Sequence, residues 1–190
     1  MKKFLALFAT SSLAILGLTN CAGGDGTKGD ADGNGIIDLS EYQAGAGFEF
    51  LGVSPPFQIE RGGIAEKKGD TIVRTITLSS MKTANRYVQV ADLISSYSMV
   101  DDTTAKLSIS VPTNFLQYEK LAEALGQPQG TDFRGGSIVA TITYRGPGMP
   151  ATATVEITST PPVEDDEEVE DDVDPQPNTV TSEYPTVSFM

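Results

Sequence analysis

From residue 47 to residue 160 apolar side chains return at every second position, in short runs separated by turn residues. Ile72, Ile76 and Leu78 share one face of the stretch Thr71 to Leu78. Val88 and Val90 do so within Tyr87 to Ala91, and Leu107, Ile109 and Val111 within Lys106 to Val111. A period of two puts alternate side chains on one side of a pleated strand, so each run predicts a strand with one buried face. Phe48 to Val53 predicts an opening strand, Pro55-Pro56 interrupts before Phe57 to Ile59, and Ser96 to Val100 gives a weaker strand. Ile138, Ala140, Ile142 and Tyr144 alternate, Gly146-Pro147-Gly148-Met149-Pro150 reverses the chain, and Ala153, Val155 and Ile157 alternate back, which predicts a hairpin.

One segment changes period. Phe115, Tyr118, Leu121, Ala122 and Leu125 are spaced for a single helical face, Gly126 ends the run, and Asn114 with Gln117 three residues on has the form of a capping box. The spacing predicts a crossover helix that plugs one end of the domain. About seven antiparallel strands at this spacing predict a mainly β fold, an antiparallel two-sheet sandwich over residues 47–160. The layout resembles bacterial immunoglobulin-like surface domains, without their cysteine pair or core tryptophan.

The ends of the chain have a different composition. Residues 1–20 carry Lys2 and Lys3 and then an apolar stretch, Phe4 to Leu18, broken by Thr10, Ser11, Ser12 and Gly17. The run is too short and too interrupted to span a bilayer, and predicts a signal peptide. Cys21 follows as the single cysteine, which excludes an intrachain disulfide or a multi-cysteine zinc site. Leu18-Thr19-Asn20-Cys21 resembles the bacterial lipobox, with Asn20 where that pattern carries a smaller residue. The resemblance implies that Cys21 is lipidated and becomes the first residue of the mature chain, held at a membrane by its acyl chains. Ala22 beside it resembles the outer-membrane sorting pattern of enteric lipoproteins. At the other end, Pro161-Pro162 leads into Glu164 to Asp174, a block of like charge that repels itself, so residues 161–190 read as an acidic disordered tail. Within it Val180, Tyr184, Val187 and Phe189 restore strand-forming character with no partner identified.

The whole chain has 13 basic and 26 acidic residues and no histidine, a net charge of −13. Loss of Lys2 and Lys3 with the signal peptide makes the mature chain more acidic still. Such a surface excludes nucleic acid as a partner and disfavours anionic lipid headgroups, whereas divalent cations and basic proteins suit it.

The residues that suit a cation best lie in the linker, residues 21–46. Asp30, Asp32, Asn34, Asp38 and Glu41 fall at positions one, three, five, nine and twelve of a twelve-residue loop, Gly35 stands at the sixth, and the carbonyl of Ile36 is at the seventh. Calcium is a hard ion that takes about six to eight oxygens, and a carboxylate at position twelve can offer both of its own. The pattern resembles the EF-hand loop, and its exit through Leu39-Ser40-Glu41-Tyr42-Gln43 is similar to dockerins and other extracellular calcium repeats. The resemblance implies bound calcium at Asp30, Asp32, Asn34, Ile36, Asp38 and Glu41. The glycine-rich stretch before Asp30 cannot supply the entering helix, and no second loop follows to pair with Ile37 at position eight. A lone loop of this kind predicts a dissociation constant on the order of 0.1 to 1 mM.

Catalytic readings find less support. The lack of histidine removes Ser-His-Asp and Cys-His arrangements and histidine-ligated zinc. Ser79-Ser80-Met81-Lys82 matches a Ser-x-x-Lys pattern without its companion motifs. Asp101 or Asp102 with Glu119 is a conceivable carboxylate pair for glycoside hydrolysis, and Lys68-Gly69-Asp70 reads as turn chemistry. The sequence therefore predicts a lipid-anchored, calcium-binding envelope protein of a Gram-negative-type bacterium, periplasmic or surface-exposed. Its expected role is noncatalytic adhesion or scaffolding with protein or glycan partners, calcium ordering the stalk. The alternative is a carbohydrate-binding or glycan-hydrolysing accessory lipoprotein, with Tyr87, Tyr97 and Phe133 as candidate sugar platforms.

Overall fold

The computed structural model describes residues 29–83, 86–160 and 177–190. The predicted signal peptide, Cys21 and the acidic block Glu164 to Asp174 lie outside the described residues. Among the described residues, α1 (Leu39–Ala44) precedes β1 (Phe48–Leu51), β2 (Phe57–Arg61), β3 (Glu66–Lys68), β4 (Thr71–Thr83), β5 (Arg86–Met99) and β6 (Thr104–Ser110). Then come α2 (Tyr118–Ala124), β7 (Asp132–Thr143), β8 (Ala151–Thr160) and β9 (Asn178–Phe189).

The sheet closes on itself. Strands β4 to β9 pair each with the next in an antiparallel meander, β9 pairs with β1, β1 with β2, and β2 returns to β4. These eight strands form a closed antiparallel barrel, and β3 is an extra strand that continues the β2 side of β4. The immunoglobulin-like sandwich is therefore incorrect. Alternation shows only that one face of each strand is buried, and a barrel and a sandwich bury that face alike.

Two features favour closure. Tyr87 to Ala91 and Ser96 to Val100, read as separate strands, belong largely to the single long β5, whose pairing with β4 shifts register between Leu78 and Ser79. A bulge of this kind bends a strand and increases its twist, which helps a sheet curl. The second feature is β9, which fills the gap between β8 and β1, with Ser159 opposite Asn178 and Phe48 opposite Phe189. The boundary at residue 160 is thus corrected. The acidic block stands between two neighbouring strands of the barrel, and residues 178–189 are not a tail.

Inward-pointing side chains fill the barrel. Phe50 stacks on Phe57 at 4.5 Å between ring centroids, and Tyr184 meets both edge-on at 5.7 and 5.4 Å. Ile76, Leu78, Leu107, Ile138 and Val155 are buried as well. Eight strands leave a lumen just wide enough for side chains to fill. The outward face is polar, as in the cross-strand row Lys106, Thr141, Thr154 and Glu183. Threonine serves there because its branched Cβ suits a strand while its hydroxyl suits water.

The two helices close opposite ends. Arg74 and Ser80, which contact α1 and α2 respectively, are six residues apart on β4, about 20 Å along a strand. The predicted crossover helix between β6 and β7 is present and plugs its end with Leu121, Ala122 and Ala124, while Ser80 Oγ donates to the Ala124 carbonyl at 3.0 Å. Its predicted cap is not. The helix starts later, with Gln117 at the N-cap and no side-chain capping bond, because the chain after Pro112 first makes a turn in which Phe115 N donates to the Pro112 carbonyl.

Candidate metal centre

The capping box forms instead at α1, from two of the proposed calcium ligands. Asp38 Oδ1 accepts from Glu41 N at 2.8 Å, and Glu41 Oε2 accepts from Asp38 N at 3.0 Å. Each carboxylate satisfies a backbone N–H that the helix start leaves without an intrahelical partner. Burial acts to raise the Asp38 carboxyl, but hydrogen bonds from Glu41 N and from Ser40 outweigh it and hold the group below its ordinary value.

Other side chains fold the loop around the same point. Asp30 Oδ1 and Oδ2 accept from Asn34 N at 3.1 Å and Gly35 N at 2.7 Å. Asp32 Oδ1 accepts from Asn34 N at 3.0 Å and its Oδ2 from Asn34 Nδ2 at 2.9 Å, while Asn34 Oδ1 accepts from Ile36 N at 2.7 Å. Glu41 Oε1 reaches back to Ala31 N at 2.6 Å, closing the loop from position twelve to position two. Gly35 has φ +80°, and an added Cβ would lie 2.3 Å from the Gly146 carbonyl carbon and oxygen. The sixth position is therefore glycine for two reasons, conformation and contact with the β7–β8 turn.

The result is a convergence of three acids. Carboxylate oxygens of Asp30, Asp32 and Glu41 all lie within 4.8 Å of one another, and Asp30 and Glu41 are only 7% and 8% exposed. Oxygens bound to one calcium at about 2.3–2.6 Å can be no more than about 5 Å apart, so the spacing fits that ion. Of the four acids among the six residues expected to bind metal, the structure gathers these three. Asp38 is turned to its helix cap, the Asn34 side-chain oxygen is occupied by Ile36 N, and Ile36 is half-buried.

Sequence reading missed what holds the loop in place. The Ile37 carbonyl accepts from the Tyr97 hydroxyl and lies 3.5 Å from that of Tyr144, and the two hydroxyls are 2.5 Å apart. Burial, followed by the neighbouring Tyr144, raises the Tyr97 phenol well above its ordinary value, and burial raises Tyr144 too. Tyr42 of α1 stacks on Tyr97 at 4.3 Å and shares a 2.8 Å hydrogen bond with Ser95 Oγ. Arg74, 2% exposed, lies over the Tyr42 ring at 3.7 Å, donates from Nη1 to the Tyr42 carbonyl at 2.7 Å and from Nη2 to the Ala46 carbonyl. The loop and α1 thus form a plug in the barrel rather than a stalk before it. Arg74 left a signal in the sequence, a charge on the inward face defined by Ile72 and Ile76.

The other candidates do not assemble. Ser79 is buried on β4, and the Lys82 side chain lies outside the described residues. Asp101 caps the β5–β6 turn by accepting from Thr103 N at 2.8 Å, at the α1 end, whereas Glu119 is on α2 at the other. Lys68 and Asp70 flank Gly69 at φ +62° in the β3–β4 turn. Tyr97 and Phe133 are fully buried and offer no platform, and Tyr87 is half-buried. Among the described residues no helix is long and apolar enough to cross a membrane. Comparison of the chain with models of known families, with curated proteins and with solved structures finds no match.

Proposed function

We propose that the protein is a lipid-anchored, calcium-binding component of a bacterial cell envelope that acts without catalysis, in adhesion or scaffolding. The observation that carries this reading is the convergence of Asp30, Asp32 and Glu41 within 4.8 Å on a loop built into the end of a barrel. Calcium bound there would supply the positive charge that three crowded carboxylates lack. The rest falls to the chain's own groups: Asp30 and Glu41 hold the loop backbone, and Tyr42 and Ile37 hold the loop in the barrel. Only a short segment separates Cys21 from Gly29, so this end of the barrel is the one tied to the membrane if Cys21 is lipidated. Locking the loop then fixes how the barrel is presented. The packed lumen and the burial of Tyr97 and Phe133 favour this role over carbohydrate binding.

Calorimetric titration with calcium of the protein beginning at Ala22 tests the reading, beside a variant carrying Asp30→Ala and Glu41→Ala. A single site lost in the variant is expected. Equal binding by both proteins would move calcium away from this loop, and no binding by either would remove it from the function.

A further inference from the structure

We infer that Tyr97 and Tyr144 are positioning residues for the calcium loop, holding its eighth position from inside the barrel as a second loop does in a paired EF-hand. This rests on the calcium reading above and adds to it a reason why a lone loop is rigid.

Ile37 is completely buried, and a buried carbonyl left without a donor keeps the full cost of its desolvation. The Tyr97 hydroxyl supplies that donor, and the Tyr144 hydroxyl, 2.5 Å from it, completes a small network around the same oxygen. Neither ring is free to move away. Tyr97 is sandwiched into the aromatic cluster, 4.3 Å from Tyr42 and 5.8 Å from Phe48, and Tyr144 meets the edge of Phe189 at 5.8 Å. Two residues after Tyr144, Gly146 packs on Gly35, so the end of β7 supports positions six and eight of the loop together. The exit helix rests on the same rings through Tyr42. The barrel therefore holds positions six and eight of the loop before calcium arrives, which leaves the ion less to lock. Preorganisation of this kind raises affinity by cutting the cost of binding, not by adding a ligand.

The test is calcium titration of the wild type, Tyr97→Phe, Tyr144→Phe and, as a control in the same core but against Phe50 and Phe57, Tyr184→Phe. Removing the Tyr97 hydroxyl frees the loop, and the dissociation constant is expected to rise about tenfold, with a smaller rise for Tyr144→Phe and none for Tyr184→Phe. Binding by Tyr97→Phe and Tyr144→Phe equal to wild type would overturn the inference and leave the calcium site standing. Failure of the wild type itself to bind would remove the calcium reading and this inference with it. If Tyr97→Phe does not fold, Tyr144→Phe beside Tyr184→Phe decides: a dissociation constant raised in the first and unchanged in the second is expected, and equal constants in these two and the wild type would overturn the inference.

Discussion

Gly33 and Gly35 have nearly the same backbone conformation, φ +73° and +80°, and very different surroundings. A Cβ on Gly33 meets nothing within 4 Å, whereas one on Gly35 runs into the Gly146 backbone. Gly33→Ala should therefore cost about 1–2 kcal/mol, the strain of a left-handed residue alone. Gly35→Ala should cost more and displace the loop from the β7–β8 turn, which urea unfolding and calcium titration of both variants would show. Equal losses would mean that the turn yields freely. Arg74 makes a second residue-scale prediction. Arg74→Met fills the lumen but removes the donors to the Tyr42 and Ala46 carbonyls, and should lower stability by about 2–4 kcal/mol in urea unfolding. An unchanged midpoint would show that those carbonyls find other partners.

At the scale of elements, β9 decides whether there is a barrel. A chain ending at residue 160 should fail to fold cooperatively, since β1 and β8 would each lose a neighbour. Replacing residues 161–176 by a four-residue turn should leave the fold intact, because Ser159 and Asn178 already face each other, and a shorter loop lowers the closure cost by about 1 kcal/mol. Circular dichroism and thermal unfolding distinguish the two. Most strands were legible from period-two alternation, as in β7 and β8, since a half-buried strand writes that pattern locally. Closure was not legible, because it depends on pairings such as Phe48 with Phe189 that no local window contains. The loop was legible as a chemical pattern, Asp30 through Glu41. Its docking was not, because the donor to Ile37 comes from a strand remote in sequence.

The molecule as a whole is polarised. The loop from Asp30 to Glu41, the start of β1 and the end of β9 share one end, and Gly47 N donates to the Met190 carbonyl there at 3.0 Å. β8 finishes and β9 begins at the opposite end. Calcium should therefore slow amide exchange at residues 35–46 and in the β7–β8 turn while leaving α2 unchanged; protection spread evenly over both ends would contradict a local site. Alkali should act on the whole barrel. Tyr97, Tyr144 and Tyr184 are each raised by burial, so the stability they contribute is fully present below pH about 10 and falls as the pH climbs above that value, where unfolded phenols ionise. Their phenolate absorbance should appear only with cooperative unfolding, and reversible titration near the ordinary value with the fold intact would refute this.

The seam between β1 and β9 also sets a timetable. Strands near the two extremes of the described chain must meet before the ring is complete, and contacts so distant in sequence form slowly. A polypeptide emerging from the ribosome cannot finish this barrel until Phe189 is available.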